Sequence, residues 1–143
     1  MHSVSKKSKR RGTNKNARHK EFHKRVRSLG CIVTGDEYRV TLHHILGAKK
    51  ELKTLENGSV HVGEDAIIPL HPLLHMEQYG DEAKKRGEFN LEAHKEDFIK
   101  KNGTELELLE KMMDMYLNRY PDCPYINVEN IELVLKRGLQ LKL

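Results

Sequence analysis

The sequence predicts an α+β fold, in which a small core is surrounded by helices and preceded by a disordered basic arm. Short stretches rich in β-branched residues, around 38–45 and 65–70, indicate strands, and the first of them alternates. Longer stretches with apolar residues at helical spacing indicate helices on either side of them. The length of 143 residues fits one domain, and a hydrophobic fraction of 37% limits the core to a modest size.

The N-terminal part of the chain is strongly basic. The first 30 residues hold eleven Lys/Arg and one acidic residue, Glu21, whereas the rest of the chain has a net charge of −5. Residues 1–15 are polar and lack apolar periodicity, which predicts a disordered arm ahead of a domain at 16–143. Such an arm commonly binds phosphates, because neutralised phosphates release counterions. A solvated tail and a localisation signal remain alternatives. The expected nucleic-acid contacts are Lys6, Lys7, Lys9, Arg10, Arg11, Lys15, Arg18 and Lys20.

The first helix is expected at residues 16–29. Phe22, Val26 and Leu29 fall at helical spacing with basic residues between them, which predicts an amphipathic helix. Gly30 follows directly and is expected to end it. A short apolar run that ends in a turn then leads to the first strand.

The strands should lie in the next part of the chain. Residues 38–42 alternate and run into 43–45 as a first strand, and residues 65–70 form a second one. Between them, residues 46–64 contain an Asn-Gly pair, which is a hairpin or loop signal. A short helix is expected from His71, with Pro72 in its first turn.

Three helices are expected after a loop marked by Gly80 and Gly87. They cover residues 91–101, 104–120 and 128–138, and the second begins with a Thr-x-x-Glu capping box. Apolar positions at helical spacing are assigned to the core, with His94 on the same face of the first helix. These positions are Leu91, His94 and Phe98, then Leu106, Leu109, Met113 and Leu117, then Ile131, Val134 and Leu135.

Several classes of protein are disfavoured by the sequence. No apolar run approaches the roughly 20 residues of a membrane span, and the N-terminus lacks the apolar part of a secretory signal. Cys31 and Cys123 do not indicate a disulfide framework. We therefore expect no membrane partner and a location in the cytoplasm, either of a bacterium or of a host cell.

Histidines are the residues most suited to chemistry. His43 and His44 are adjacent at the end of a predicted strand, so their side chains point in different directions. His71 and His75 are four residues apart and share a face of a helix, where they could bind one ion. Because unperturbed imidazole has a pKa near ~6.5, one strand histidine can act as general base beside a metal ligand. Taken singly, each of these histidines, and His94 as well, is more often an ordinary hydrogen-bonded residue. The strand-end pair followed by the pair at i, i+4 favours a functional site.

Four stretches of the chain resemble HNH nucleases, and are most similar to the phage recombination-enhancement family of RecA-dependent DNA endonucleases. The resemblance covers roughly residues 20–110 and includes a Lys/Arg-rich flexible arm. It implies a ββα-metal (HNH) core, which is two strands and a helix around one catalytic ion. The matching stretches are 26–35 (VRSLGCIVTG), 41–45 (TLHHI), 66–75 (AIIPLHPLLH) and 89–109 (FNLEAH…NGTELELL).

The resemblance assigns roles to four histidines. His44 matches the general base that activates the attacking water, and His43 matches the first metal-side residue. His75 matches the second histidine of the family's C-x-x-H-H segment, and His94 matches the later histidine that completes the site. The ion would be divalent (Zn, Mn, Ni or Mg). Imidazole ligands favour Zn²⁺ or Ni²⁺ over Mg²⁺, and Asp65 is the carboxylate candidate.

The chain departs from the family pattern where the family binds a structural zinc. A C-x-x-C pair reads Cys31-x-x-Thr34 here, and a C-x-x-H pair reads His71-x-x-Leu74. Because Thr34 and Leu74 are not zinc ligands, we expect no closed structural zinc site. His71 is then a vestigial zinc position, a core residue, or an added ligand of the catalytic ion beside His75.

Three functions are compatible with these patterns. The first is a metal-dependent DNA endonuclease acting in phage or bacterial recombination, with DNA and a RecA filament on single-stranded DNA as partners. The second is a non-catalytic DNA-binding accessory protein of recombination on a degenerate HNH scaffold. The third is a small zinc-binding interaction module, which the low cysteine count disfavours. The set of histidines favours the endonuclease.

Overall fold

The computed structural model describes residues 17–121 and 126–138, and it confirms a mixed α+β class with two small antiparallel sheets. Six helices and four strands follow one another along the described residues. They are α1 (17–28), β1 (Thr41–His44), β2 (Glu51–Thr54), β3 (Gly58–His61), β4 (Ile67–Leu70), α2 (Pro72–His75), α3 (Gly80–Lys85), α4 (Lys95–Asn102), α5 (Glu105–Arg119) and α6 (Ile126–Lys136), with a 3-10 turn at Glu77–Tyr79.

The two sheets have two strands each. Strands β1 and β4 pair antiparallel, with His43 opposite Ile68 and His44 opposite Ile67. The hairpin of β2 and β3 lies between them in sequence, which confirms the hairpin signal. Helix α2 follows β4 after one residue, so the paired strands and this helix are contiguous. The histidines of β1 therefore lie close to the one that ends α2.

Helix α1 packs on the core as its periodicity predicts. Phe22 and Val26 are buried, and the Phe22 ring lies 5.2 Å from that of Tyr116 in α5. The helix ends before Gly30, as predicted, and that residue has a φ of 83°. Glycine adopts this conformation without the steric cost that a Cβ would add. This turn directs the chain from α1 towards the first strand.

Strand β4 lies at the centre of the core, because all four of its residues are buried. Helix α5 packs against it, and α6 packs against α5. The largest fully buried side chains come from both helices and strands. They are Tyr116, Phe22, Phe98, Ile67, Ile68, Leu70, Leu74, Leu109, Met112, Ile131, Val26 and Val62.

Two helix starts confirm the sequence signals. At α2, the Nδ1 atom of His71 accepts a hydrogen bond from the backbone N–H of Leu73, and Pro72 occupies the first turn. At α5, Thr104 and Glu107 form the predicted capping box, in which each side chain accepts a hydrogen bond from the other residue's backbone N–H. Both caps satisfy amides that lack partners within the helix.

The first strand starts later than predicted. It begins at Thr41, whereas the sequence placed its start at residue 38. The Asp36 side chain accepts a hydrogen bond from the Tyr38 N–H, which holds this segment in a turn, and Tyr38 is 95% exposed. A local side-chain bond to the backbone competes here with strand pairing.

The prediction for residues 80–94 was wrong in two places. Gly80 starts helix α3 where a loop was expected, and a Cβ on it would lie 2.7 Å from the Cβ of Ala93. Helix α4 starts at Lys95, whereas residue 91 was predicted. The buried Asn90 holds the preceding residues in a turn, because its side chain accepts hydrogen bonds from the N–H groups of Glu92 and Ala93.

The buried face of α5 is rotated relative to the prediction. Leu109 is buried as expected, but the other three predicted positions (Leu106, Met113 and Leu117) are only partly buried. The buried face instead contains Glu105, Leu108, Met112 and Tyr116. The apolar pattern alone did not reveal this rotation, because the inward residue at the helix start is a carboxylate.

Some predictions concern residues that the structure does not describe. The predicted disordered arm at 1–15 lies outside the described ranges, as do six of its proposed DNA contacts (Lys6, Lys7, Lys9, Arg10, Arg11 and Lys15). Arg18 and Lys20 are exposed on α1. Within the described ranges, every helix is too short or too polar to cross a bilayer.

Candidate functional site

The histidines of β1 lie in two groups of polar side chains on opposite faces of the strand. The His43 cluster consists of His43, His75, Glu92 and Glu105. The His44 cluster consists of His23, His44 and Glu64. Because successive strand residues point to opposite faces, the adjacent histidines have different neighbours, as the sequence predicts.

The His43 ring is fixed by a carboxylate from α5. Its Nε2 lies 2.7 Å from the Glu105 carboxylate, to which it donates a hydrogen bond, and Lys95 lies 3.1 Å from the other oxygen. Burial acts to raise the pKa of Glu105, but the hydrogen bonds from His43 and Lys95 outweigh it and lower the pKa. With the proton on Nε2, the Nδ1 atom of His43 keeps its lone pair, 3.8 Å from the Glu92 carboxylate.

The His75 ring packs edge-on against His43, with 5.1 Å between ring centroids. The hydroxyl of Thr41 donates to the carbonyl of Leu70 at 2.8 Å, so it accepts a hydrogen bond from the Nδ1 of His75 at 2.7 Å. The lone pair of His75 is therefore on Nε2. Burial lowers the pKa of His75, and the nearby His43 lowers it further. A neutral ring with a free lone pair is the form that binds a metal.

The His44 ring is fixed by Glu64, which lies in the segment before β4. Its Nε2 lies 2.6 Å from a carboxylate oxygen of Glu64 and donates a hydrogen bond to it. This leaves the lone pair of His44 on Nδ1, where it could accept a proton. His44 is also the more accessible of the two, because its side chain is 29% exposed and that of His43 is 12% exposed.

Helix α1 contributes a histidine that the sequence analysis did not select. The Nε2 of His23 lies 2.8 Å from the carbonyl oxygen of Glu64 and 3.7 Å from its carboxylate, and its ring lies 6.1 Å from that of His44. Burial is the main reason that its pKa is lowered. His19 and His23 are four residues apart on a predicted helix, the same spacing that drew attention to His71 and His75. That spacing was the signal that could have identified it.

His71 and His94, the other two predicted ligands, have neighbours outside both clusters. The Nδ1 of His71 caps α2 at Leu73, and its Nε2 lies 3.5 Å from the Asp36 carboxylate. His94 precedes α4 and packs against Gly80, where its Nδ1 is buried without a hydrogen-bond partner among the described residues. The roles assigned to both by resemblance stay predictions.

Asp65, the carboxylate expected beside the metal, has a structural position. It is buried and accepts hydrogen bonds from the side chains of Asn127 and Asn130, at 2.5 Å and 2.7 Å, which attaches α6 to the segment before β4. Burial raises its pKa. The preceding residue, Glu64, supplies the carboxylate that contacts His44. The role of Asp65 as a metal carboxylate stays a prediction.

Cys31 lies where the resemblance implies one ligand of a structural zinc. It is buried, and its Sγ accepts a hydrogen bond from the backbone N–H of Thr34 at 3.4 Å. Thr34 is exposed and offers a hydroxyl in place of a thiolate. The predicted absence of a structural zinc stays a prediction.

One group of side chains has the spacing of a metal site. Ligand atoms of His23, His44 and Glu64 all lie within 4.8 Å of one another, so these residues could hold an ion; over the described residues, no other group of three or more His, Cys, Asp and Glu does so. The side chains of His43, His75 and Glu92 do not meet this spacing, although the two rings lie 5.1 Å apart and the Glu92 carboxylate lies 3.8 Å from the Nδ1 of His43. No family model, curated protein or solved structure matches the chain.

Proposed function

We propose that the protein is a metal-dependent DNA endonuclease that hydrolyses phosphodiester bonds, with β1, β4 and α2 as its catalytic unit. One observation carries this proposal: hydrogen bonds to Glu64, Glu105 and Thr41 leave His44, His43 and His75 each with one nitrogen lone pair. Two paired strands followed directly by a helix also have the order that the HNH resemblance implies.

His44 is proposed as the general base. The Glu64 carboxylate fixes the proton on Nε2, so Nδ1 can take a proton from the attacking water. The same carboxylate stabilises the imidazolium that forms, as in other carboxylate–histidine pairs. At 29% exposure, the side chain is accessible to water.

The ion is assigned to the His43 cluster. The Nδ1 of His43, the Nε2 of His75 and the Glu92 carboxylate would hold it, beside an open surface pocket lined in part by His75 and Glu92. A divalent ion bound there supplies positive charge to the scissile phosphate and to the leaving oxygen. Two imidazoles and one carboxylate favour Mn²⁺, Zn²⁺ or Ni²⁺ over Mg²⁺.

DNA binding is assigned to the basic arm and to the exposed face of α1. Arg18, Lys20 and Lys24 are exposed on the helix that also positions His23 against Glu64. Phosphate contacts along this helix would therefore place a strand close to the His44 cluster. A role in phage or bacterial recombination, with a RecA filament as partner, follows from the resemblance and belongs to the same proposal.

Nicking of supercoiled plasmid tests the activity. Purified protein is assayed with Mg²⁺, Mn²⁺, Zn²⁺ or Ni²⁺, and with or without RecA-coated single strands. We expect metal-dependent nicking that His44→Ala lowers by about 10²–10⁴-fold, the usual contribution of a general base. His61→Ala is the matched control, since His61 is an exposed strand histidine outside both clusters. Nicking by His44→Ala within tenfold of wild type would contradict the assigned role.

The salt dependence of DNA binding tests the arm separately. Replacing Lys6, Lys7, Lys9, Arg10 and Arg11 by Gln removes five positive charges and leaves α1 intact. If all five contact phosphates, the slope of log K against log salt becomes shallower by at most about 4.5. An unchanged slope would exclude the arm from DNA binding. Binding without nicking under every metal condition would instead favour the non-catalytic accessory protein.

A further inference from the structure

The His44 cluster contains a second histidine, His23, which a general base and its carboxylate partner do not require. The Nε2–H of the His23 imidazole donates a hydrogen bond to the backbone carbonyl of Glu64, and the same nitrogen lies 3.7 Å from the Glu64 carboxylate. His23 comes from α1, far in sequence from the other two, and its position depends on the packing of that helix through Phe22 and Val26. Two imidazole nitrogens and a carboxylate oxygen thus converge from three segments of the chain.

The three side chains match the ligands of a known kind of zinc site. Zn²⁺ is commonly bound by two histidines and one glutamate, with a water in the fourth position. The ligand atoms lie within 4.8 Å of one another, which is wider than in a closed tetrahedral site, so the side chains would have to move closer together around an ion. All three side chains are partly exposed, so an ion can reach them from solvent. Mg²⁺ prefers oxygen ligands and would be a poor competitor.

We propose that His23, His44 and Glu64 form a binding site for a transition-metal ion of the Zn²⁺ class, and that an ion bound there blocks the general base. The blocking effect rests on the proposed function, whereas the binding site does not. The site is separate from the ion assigned to the His43 cluster, because it lies on the other face of β1 and uses none of that cluster's ligands.

The blocking effect follows from the position of one proton. In the metal-free state, His44 carries a proton on Nε2, which it donates to Glu64, and keeps a lone pair on Nδ1. An ion at Nε2 takes the place of that proton, and the neutral ring then carries its proton on Nδ1. The proton of the His44 ring has moved from Nε2 to Nδ1, and the ring has lost none. The Nδ1 of His44 is now a donor and can no longer accept a proton from water. His23 makes the same exchange: the ion replaces the Nε2–H that donates to the Glu64 carbonyl, and the ring proton moves to Nδ1.

Binding is tested with Co²⁺, which replaces Zn²⁺ and absorbs visible light when bound in a tetrahedral site. The full chain is stripped of metal with a chelator and titrated with Co²⁺. We expect wild type to bind one Co²⁺ ion more per chain than His23→Ala. If the variant still binds an ion at this site, its affinity should be at least about 100-fold lower. His61→Ala should titrate like wild type. Identical titrations of wild type and His23→Ala would overturn the site.

Blocking is tested by adding Zn²⁺ to nicking assays that contain saturating Mn²⁺. We expect Zn²⁺ to lower the wild-type rate by about 100-fold or more, the scale of a lost general base. His23→Ala, compared with its own zinc-free rate, should need at least tenfold more Zn²⁺ for the same loss. Equal sensitivity of the two proteins would place the inhibitory zinc elsewhere and overturn the blocking effect. Absence of nicking in all conditions would contradict the proposed function and the blocking effect, while the Co²⁺ titration still decides the site.

Discussion

The two faces of β1 carry adjacent histidines in contrasting environments. On one face, His43 is held by the buried Glu105, which is paired in turn with Lys95. On the other face, His44 is held by Glu64, whose side chain is 39% exposed, and is more accessible to water itself. Both rings donate Nε2–H to a carboxylate, but the Glu105 carboxylate is buried and the Glu64 carboxylate is partly exposed.

This contrast separates positioning from reactivity. A buried carboxylate that is also paired with Lys95 holds its histidine in one orientation, which suits a metal ligand whose geometry must not change. A partly exposed pair can exchange protons with water, which suits a general base. The same accessibility leaves the His44 face open to a competing ion, as the convergence of His23 on Glu64 indicates. These two roles can be tested with variants that change one face of β1 and leave the other face unchanged.

The largest expected effect comes from the metal side. His75→Ala removes one of the two proposed nitrogen ligands, so we expect nicking at low Mn²⁺ to fall by at least about 100-fold and the half-saturating Mn²⁺ concentration to rise. His71→Ala is the matched comparison, since His71 lies four residues earlier but caps α2 and contacts Asp36. It should change the half-saturating concentration by less than tenfold. A rise of the same size in both variants would make His71 an added ligand.

A smaller effect is expected from the carboxylate on the open face. Glu64→Gln can still accept the hydrogen bond of His44 but no longer stabilises the imidazolium, so we expect kcat to fall by roughly 10–100-fold with KM nearly unchanged. The urea midpoint should stay at the wild-type value, because Glu64 is partly exposed. A shift in KM or in the midpoint without a loss of kcat would make Glu64 a purely structural residue.

Asp65, next to Glu64, should affect stability and not activity. Asp65→Ala leaves the buried Asn127 side chain without its acceptor, which costs about 1–3 kcal/mol of unfolding free energy. We expect a lower urea midpoint and, for the folded fraction, nicking close to wild type. If Asp65→Ala lost nicking with an unchanged midpoint, Asp65 would serve the site in place of Glu64.

The sequence predicts the elements that depend on local signals. The capping box of α5, the proline-started α2 and the Asn-Gly hairpin are all fixed by residues within a few positions of one another. The strand-end histidines could be predicted for the same reason, because alternation along a strand needs only adjacent residues.

The rest of the site depends on long-range packing. Glu105 lies 62 positions from His43, and its inward direction follows from the rotation of α5, which the apolar pattern did not predict. Glu64 and Asp65 are adjacent acids, and only the packing of α6 shows which of them is buried. His23 reaches Glu64 across 41 positions, through the packing of α1.

The smallest effect is expected from Glu107→Gln, which weakens the capping box at the start of α5. This variant tests whether the start of α5 affects His43 without affecting His44. The carboxylate of Glu107 accepts a hydrogen bond from the backbone N–H of Thr104. This hydrogen bond is the main reason that the pKa of the exposed Glu107 is lowered. A lowered carboxyl pKa gives stability that is present above the unfolded-state value, near ~4.3, and is lost as the pH falls through the folded-state value. We therefore expect Glu107→Gln to lower the urea midpoint at pH 7 and to match wild type at pH 2.

The control for this prediction is Glu110→Gln, which changes an exposed acid on the same helix outside the capping box. Its midpoint difference from wild type should lack the pH dependence expected of Glu107→Gln. Because α5 begins at the box and carries Glu105, histidine NMR signals at pH 7 should shift at His43 and stay unchanged at His44. Equal shifts at both histidines would mean that the two faces of β1 respond together, which contradicts their division into a fixed side and an accessible side.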